Sequence, residues 1–514
     1  MNSTVKIRFN HIAIAGYCYL LIPIFVFFMS WLRPVIGIPA SLILLFGFFI
    51  LLRNDYLKNQ TELDLPLVAL IVTALVFLVW VWLSGIGGFF SQTWDQHYRN
   101  AVFRDLIEFD WPVYYSETGN ALVYNFAHWL VPALFGKLFG WLAGNIALAA
   151  WSYIGVFISF LLVVYICKSF TTKRLLFTCA IFVLWSGLDS LGLIGVKALG
   201  HQAFWLNDVD EWPSAFSKLT YIGYQYSAND TLLSWVFHQA IAPWIAVPLV
   251  LQNKRISSFA FIALCVLPFA PLPFIGLGVI LIFIAVPMAF HDLKEKQYGK
   301  LLGEIFSIPN ITAVLSIFII FMLFFQSNIS GASFGLSDPP SSFDFLRIGT
   351  LLLFYLLEFG IYMLLIRKQH KKDIVFLAIV ISLVVIPFFK VGHGYDFCMR
   401  ASIPALFILM IFVIQHAFAL KQLKKQHALT VLVFMLALAI AFINPVYEIS
   451  ARINRFCNIT SCEIVVDDIK TFRDKRIGDQ SLVLEDAIDR NYENFLVPNP
   501  ESEFFYEYLA KNAD

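Results

Sequence analysis

The chain has 514 residues, of which 59% are hydrophobic and only 14% charged, with a formal net charge of +1; soluble domains carry roughly a quarter charged residues. Together with a mean hydropathy of +0.75, this excludes an ordinary soluble domain and describes a polytopic membrane protein. A near-neutral balance with no concentrated basic face speaks against a nucleic-acid partner.

Lys6 and Arg8 precede a first apolar segment, residues 11–32, which is too long for the core of a secretory signal and lacks a small-residue cleavage site. It is expected to remain as a helix. Arg33-Pro34 turns the chain into a second segment, 34–52, and Arg53 and Lys58 then mark the cytoplasmic side, where loops accumulate Lys and Arg. A third segment, 65–82, leads outward, so residues 84–118 form a first large external loop. Residues 121–145 contain Pro132, Gly136, Lys137 and Gly140 and are expected to form a re-entrant or interfacial helix, because the basic cluster Lys168, Lys173 and Arg174 leaves one crossing, 146–166, between loop and cytoplasm.

Segment 175–194 goes out to a second external loop, 195–230, and 232–251 returns to Lys254 and Arg255. Residues 257–290 are too long for one helix, and Pro268, Pro271 and Pro273 break them into a hairpin. Segments 311–325, 347–365, 374–389, 401–420 and 429–443 bring the expectation to about thirteen crossings, with the N-terminus cytoplasmic. At 444 the composition turns polar, which predicts a transmembrane domain, 1–443, followed by an external C-terminal module, 444–514, of about 70 residues, near the lower limit for independent folding. Cys457 and Cys462 in R-F-C-N-I-T-S-C are expected to close a small disulfide loop there. The other five cysteines lie in or beside apolar segments and read as buried apolar side chains.

One polar and aromatic island stands among these segments: S-Q-T-W-D-Q-H-Y-R-N-A-V-F-R-D-L-I-E-F-D-W-P-V-Y-Y, residues 91–115. Tyr98, Val102 and Leu106 recur at helical spacing with Phe103 and Ile107, while Asp95, Arg99, Arg104, Asp105 and Glu108 take other positions. That pattern predicts an amphipathic helix on the membrane surface, ended by Trp111-Pro112. Asp95, with His97 beside it, is placed to take a proton from an incoming hydroxyl at headgroup level. The alternative is that Asp95 caps the helix and pairs with Arg99 four residues on.

An acidic residue at the start of the first large outer loop, an interfacial helix, an aromatic-proline stretch and many following spans resemble the GT-C superfamily of polytopic glycosyltransferases. The island from W-D-Q-H-Y-R-N to D-W-P-V-Y-Y, with A-L-V-Y-N-F-A-H-W-L-V-P-A-L-F-G-K-L-F-G at 121–140, is similar to a bacterial branch of it. W-S-G-L-D-S-L-G (185–192), Y-Q-Y-S-A-N-D-T-L-L-S-W-V-F-H-Q-A-I-A-P-W-I (224–245) and D-F-C-M-R-A-S-I-P-A-L (396–406) extend the similarity over most of the membrane part. The resemblance implies an all-α, GT-C-like transmembrane bundle with interfacial helices in its outer loops, a polyprenyl-phosphate sugar as donor, and Asp95 as the base. Many GT-C members carry a second acidic residue beside the first. Here Gln96 takes that place, and the sequence does not indicate a divalent metal.

Cleaving a sugar–phosphate bond leaves a lipid phosphate, so a fixed cation is needed near the outer headgroup plane. Arg400 follows the loop G-H-G-Y-D-F-C-M and has a fork suited to bidentate phosphate contact; the alternatives are snorkelling or pairing with Asp396. Arg104 and Lys390 rank behind it. His238 and Gln239 interrupt an apolar run and need partners, either as lining of the donor site with Tyr226, Asn229 and Asp230 or as a helix-to-helix hydrogen bond. Asp189 and Glu358 read as structural pairs. Trp205, Trp212, Tyr221, Tyr224 and Tyr226 suit sugar stacking and an interfacial belt equally.

The expected function is transfer of a sugar from a polyprenyl-phosphate carrier to a glycan or lipid acceptor at the outer face of the plasma membrane. Two alternatives are a secondary transporter or lipid-linked sugar flippase, with Asp189, Glu358 and His238 as coupling groups, and a non-GT-C envelope polysaccharide polymerase. Essential carboxylates at the outer interface favour the transferase; essential carboxylates at mid-membrane favour the transporter.

Overall fold

The computed structural model describes residues 3–57, 61–93, 95–115, 119–200, 209–216, 224–328, 334–336, 345–391, 396–420, 428–458 and 495–512. Long apolar segments in lipid must satisfy their backbone groups internally, and here they do so as helices. β1 (Thr4–Arg8) leads into α1 (Phe9–Trp31), and Pro34 fills the first turn of α2 (Pro34–Leu51), where its missing N–H costs nothing. β2 (Glu62–Pro66) pairs antiparallel with β1, Thr4 opposite Pro66, and runs into α3 (Leu67–Leu83).

The island supplies α4 (Gln96–Glu108) and β3 (Tyr114–Tyr115), followed by β4 (Asn120–Leu122). α5 (Ala127–Phe139) and α6 (Trp141–Ile166) meet at Gly140, whose φ of 89° suits glycine. A Cβ on Gly136 would lie 2.4 Å from Ile107 Cδ1, so this glycine lets α4 sit against the α5–α6 corner. With 13 residues α5 is too short to cross as a straight helix.

α7 (Thr172–Leu184) and α8 (Asp189–Ala198) are bent by 41° at the break between them. A 3-10 turn (Val209–Phe216) precedes α9 (Asn229–Asn253), the axis of the bundle, 94% of whose apolar window is buried. α10 (Ile256–Val266) and α11 (Pro271–Lys294) form the proline-broken hairpin. α12 (Tyr298–Ile305), α13 (Ile308–Ala313) and α14 (Ile319–Gln326) follow, then β5 (Phe334–Leu336). α15 (Phe345–Tyr355) passes through a π turn (Leu356–Gly360) into α16 (Ile361–His370), and α17 (Ile374–Val385) leads to β6 (Phe389–Val391), which pairs with β5. α18 (Asp396–Ala401), α19 (Ile403–Leu420), α20 (Ala428–Ala441) and α21 (Ile443–Asn458) complete the helices. β7 (Leu496–Pro498) adds to β4 to make the sheet β3-β4-β7.

Among the described residues nine helices are long and apolar enough to cross a membrane, ten if α7 and α8 form one bent crossing; α3, α10 and 374–388 are shorter apolar helices. Every segment expected to cross falls on one of these. The chain is thus an all-α multi-pass membrane protein with small sheets at its ends.

Those ends are distinct. β1 and β2 lie at the start of α1, while Lys511 N–H bonds to Trp31 O at its finish, about 34 Å away for a helix of this length. The island lies at the second end, where Trp111 meets Trp31 with ring centroids 5.2 Å apart. The described residues beyond 444 pack there too. Arg33 Nε donates to Ala510 O at 2.9 Å, Tyr506 Oη to Leu122 O at 3.0 Å, and α21 buries Asn444 and Arg452. The compositional boundary at 444 therefore does not coincide with an end of packing. Cys457 is exposed on α21, and Cys462 lies outside the described residues.

α4 departs from the expected surface helix. Gln96, Arg99 and Asp105 are 2, 4 and 0% exposed, and only positions such as Arg104 and Glu108 remain open. Gln96 and Arg99 turn inward to backbone carbonyls of the bundle, and Asp105 turns inward to accept Tyr115 Oη.

Candidate functional site

α9 is broken at Val236, whose φ of −137° and ψ of 36° leave the helix. A break frees carbonyls that must find donors in a dry bundle. The island provides them. Gln96 Nε2 donates to Ser234 O at 2.8 Å, Thr93 Oγ1 to the same oxygen at 3.4 Å, and Arg99 Nη1 to Trp235 O. Arg99 Nη2 also binds Asp95 Oδ2 at 2.9 Å.

Asp95 therefore stands at the head of α4, one third exposed, with a buried guanidinium behind it: side-chain exposures are 34 and 5%. Its side chain makes no cap hydrogen bond. Of the two parts of the alternative reading, the pairing with Arg99 is present and the capping is not.

His238 lies just beyond the break, fully buried, with Trp129 stacked on it at 4.7 Å between centroids. Its Nε2 faces Tyr124 Oη at 3.5 Å and Gln239 Nε2 at 3.2 Å; His238 Nδ1 and Gln239 Oε1 are buried with no hydrogen-bond partner among the described residues. Arg99 and Arg400 both lie within electrostatic range of His238.

Arg400, near the end of α18, pairs with Asp396 at 3.1 Å, the guanidinium mostly covered at 15% exposure and the carboxylate open at 42%. Burial opposes its charge, yet Asp396, Tyr124 and Asp95 outweigh burial and raise the guanidinium above its ordinary value. Its Nε is buried and has no hydrogen-bond partner among the described residues. Asp95, Arg99, Tyr124, His238, Gln239 and Arg400 thus form one neighbourhood drawn from four separate parts of the chain.

No protein-family model, curated protein or solved structure matches this chain.

Other candidates lie elsewhere. Arg104 pairs with Glu108 at 2.6 Å and covers the Trp141 ring, on a different part of α4. Tyr226 donates to Leu383 O and packs on Phe354. Asp230 is held by both Arg452 and Trp80 rather than lining the neighbourhood. The His97 side chain, Trp205 and Tyr221 lie outside the described residues.

Sequence reasoning did not single out Tyr124, Trp129 or Phe495. Phe495 stacks over Tyr98 at 6.1 Å, packs on Tyr124 at 4.6 Å, and accepts Val123 N–H through its carbonyl at 2.9 Å. The first two belong to an aromatic-rich stretch, Y-N-F-A-H-W, that is a readable signal; Phe495, some 370 residues further along the chain, is brought to the site by the fold, beside the β4–β7 pairing. Among the described residues no group of three or more His, Cys, Asp or Glu side chains is placed to hold a metal ion.

Proposed function

We propose that this protein is a polytopic glycosyltransferase of GT-C type, with about thirteen crossings, a cytoplasmic N-terminus, and its site at the outer face of the plasma membrane. The observation that supports this reading most is the convergence of a partly exposed carboxylate, Asp95, with a covered guanidinium, Arg400, whose Nε has no partner among the described residues, at one end of the bundle.

In the proposed reaction an acceptor O–H approaches Asp95, its oxygen bonds to the anomeric carbon, and its proton passes to the Asp95 carboxylate. The bond from anomeric carbon to phosphate oxygen breaks with its electron pair staying on the phosphate, so a polyprenyl phosphate leaves and the sugar is inverted. Arg400 stabilises the charge that grows there. Half-buried Tyr124, backed by Trp129 and Phe495, is the aromatic side chain open to a sugar beside these groups, and His238 Nδ1 and Gln239 Oε1 have no hydrogen-bond partner among the described residues.

Mass spectrometry of lipid retained by the purified protein tests the donor class. A polyprenyl phosphate or its sugar ester is expected; phospholipid alone after purification from cells rich in polyprenyl carriers would retire the proposal.

A further inference from the structure

Phe495 touches both halves of the candidate site. On one side its ring lies nearly parallel to Tyr98, with centroids 6.1 Å apart and 7° between the planes; on the other it packs against Tyr124 at 4.6 Å. Tyr98 stands three residues after Asp95, whose φ of −60° and ψ of −21° continue the helix, so the two are neighbours on one face of α4. The buried Phe495 ring therefore lies between the helix that carries the proposed base and the aromatic side chain open to a sugar.

The direction of the Tyr124 ring depends on that packing. Tyr124 lies in the irregular stretch between β4 and α5, and Val123 N–H to Phe495 O at 2.9 Å and Asn125 Nδ2 to Phe269 O at 2.7 Å fix the chain on either side of it. Its Oη faces His238 Nε2 at 3.5 Å, the long limit for a hydrogen bond, and gives the ring little hold. Trp129 meets it at 6.1 Å but is stacked closer on His238, at 4.7 Å. Phe495 is the nearest of these rings.

Phe495 is in turn held from outside both elements. β7 follows it directly, with Leu496 opposite Leu122 and Val497 opposite Ala121, residues 4 and 0% exposed. Tyr506 Oη donates to Leu122 O at 3.0 Å, Phe505 packs on Phe324 at 5.0 Å, and Arg33 donates to Ala510 O at 2.9 Å and to Glu507 O at 2.7 Å. A side chain anchored in this way acts as a spacer between the two surfaces it touches.

We propose that Phe495 is a positioning residue that sets the spacing between the Asp95 carboxylate and the Tyr124 ring, so that residues 495–512 complete the site. The inference rests on the transferase reading for what the two groups bind, and on packing alone for how they are spaced. Chemistry between bound groups is sensitive to such spacing, a displacement of about 1 Å costing up to about 10²-fold in rate.

Fluorotyrosine incorporated in place of Tyr124 in the full chain, in nanodiscs, reports the ring by fluorine NMR and needs no reaction. Phe495→Ala should shift and broaden its resonance. Phe504→Ala, which removes a ring 55% exposed and packed on Tyr508 in the same segment, should leave the resonance as in the parent. Where Phe495→Ala does not fold, Phe495→Leu keeps most of the apolar bulk, loses the ring face and carries the same readouts. Turnover of a short-chain polyprenyl-phosphate sugar should show kcat lower by about ten- to a hundredfold in the Phe495 variant, with KM changed less and Phe504→Ala at the parent level. A resonance at its parent position in the folded Phe495 variant overturns the proposal whatever the protein catalyses. A shifted resonance with parental kcat overturns it as well, while a shifted resonance in a chain whose parent transfers no sugar upholds the spacing and removes the transferase reading instead.

Discussion

Replacing Asp95 by Asn keeps the size of the side chain and an oxygen for Arg99 but removes the negative charge and nearly all basicity. The Asp95–Arg99 pair is an i, i+4 contact at 2.9 Å whose carboxylate is 34% exposed, so its screened contribution to stability is about 0.3–1 kcal/mol. Loss of a general base costs about 10²- to 10⁴-fold in the chemical step, or about 3–5 kcal/mol of transition-state stabilisation. The two quantities differ enough to be separated. Single-turnover transfer from a polyprenyl-phosphate sugar, with thermal unfolding in parallel, should show a rate loss far larger than the stability loss and donor binding largely kept. Asp105 is unsuitable as the internal comparison because it is fully buried and accepts Tyr115 Oη at 2.6 Å. Glu108 on the same helix pairs with Arg104 at 2.6 Å in the same i, i+4 arrangement with 42% exposure, so Glu108→Gln gives the effect of losing such a pair without chemistry. Near-parent turnover in Asp95→Asn would refute the assignment of the base.

Arg400→Lys keeps a charge for Asp396 but loses the planar fork and the uncommitted Nε, so affinity for polyprenyl phosphate should drop by on the order of tenfold or more with little change in unfolding temperature; unchanged affinity would reject the phosphate contact. Arg452→Ala leaves Asp230 buried with only Trp80 as a side-chain donor among the described residues and should destabilise the fold by about 3–5 kcal/mol, read as a lowered unfolding midpoint in detergent; a loss under about 1 kcal/mol would mean that the pair is not buried as described. In a background with both Cys457 and Cys462 replaced by Ser, an impermeant thiol reagent applied outside cells should label a cysteine at exposed Ser502 and spare one at exposed Gln369 until the membrane is opened. The reverse pattern would invert the orientation and move Asp95 to the cytoplasmic face.

The helices were legible because membrane crossing leaves a strong linear signal: some twenty apolar residues, punctuated by proline and basic turns. Pro271 starts α11 where the hairpin was expected, and Asp55 meets Arg255 at 2.6 Å, placing two of the basic loops read as cytoplasmic at one end. The site was legible in part. Asp95, His238, Gln239 and Arg400 were marked by being polar beside apolar runs, and they come together. What joins them was hidden, since a helix break at Val236 leaves no glycine or proline as its sign. Arg99 was read as part of the polar face of a surface helix, although its partner, like that of Gln96, is a carbonyl that the break releases.

α21 shows why. An amphipathic helix announces only that its two faces meet different surroundings; in water the apolar face turns to the core, whereas in lipid the assignment can reverse. Asn444, Glu448 and Arg452 recur every fourth residue, and all three are buried, on Asp210, Val209 N–H and Asp230 respectively. Ile443, Val446, Tyr447 and Ile453 are exposed. Read as a water-soluble pattern, this stripe belongs to an external tail; packed against α9, it anchors the first turn of that helix. Asp230 lies four residues before Ser234, whose carbonyl Gln96 holds, and Gln96 directly follows Asp95. The polar stripe of α21 is thereby connected through one helical turn and the α9 break to the carboxylate proposed as the base. Loosening Arg452 should move Asp95 as well as unfold the chain more easily.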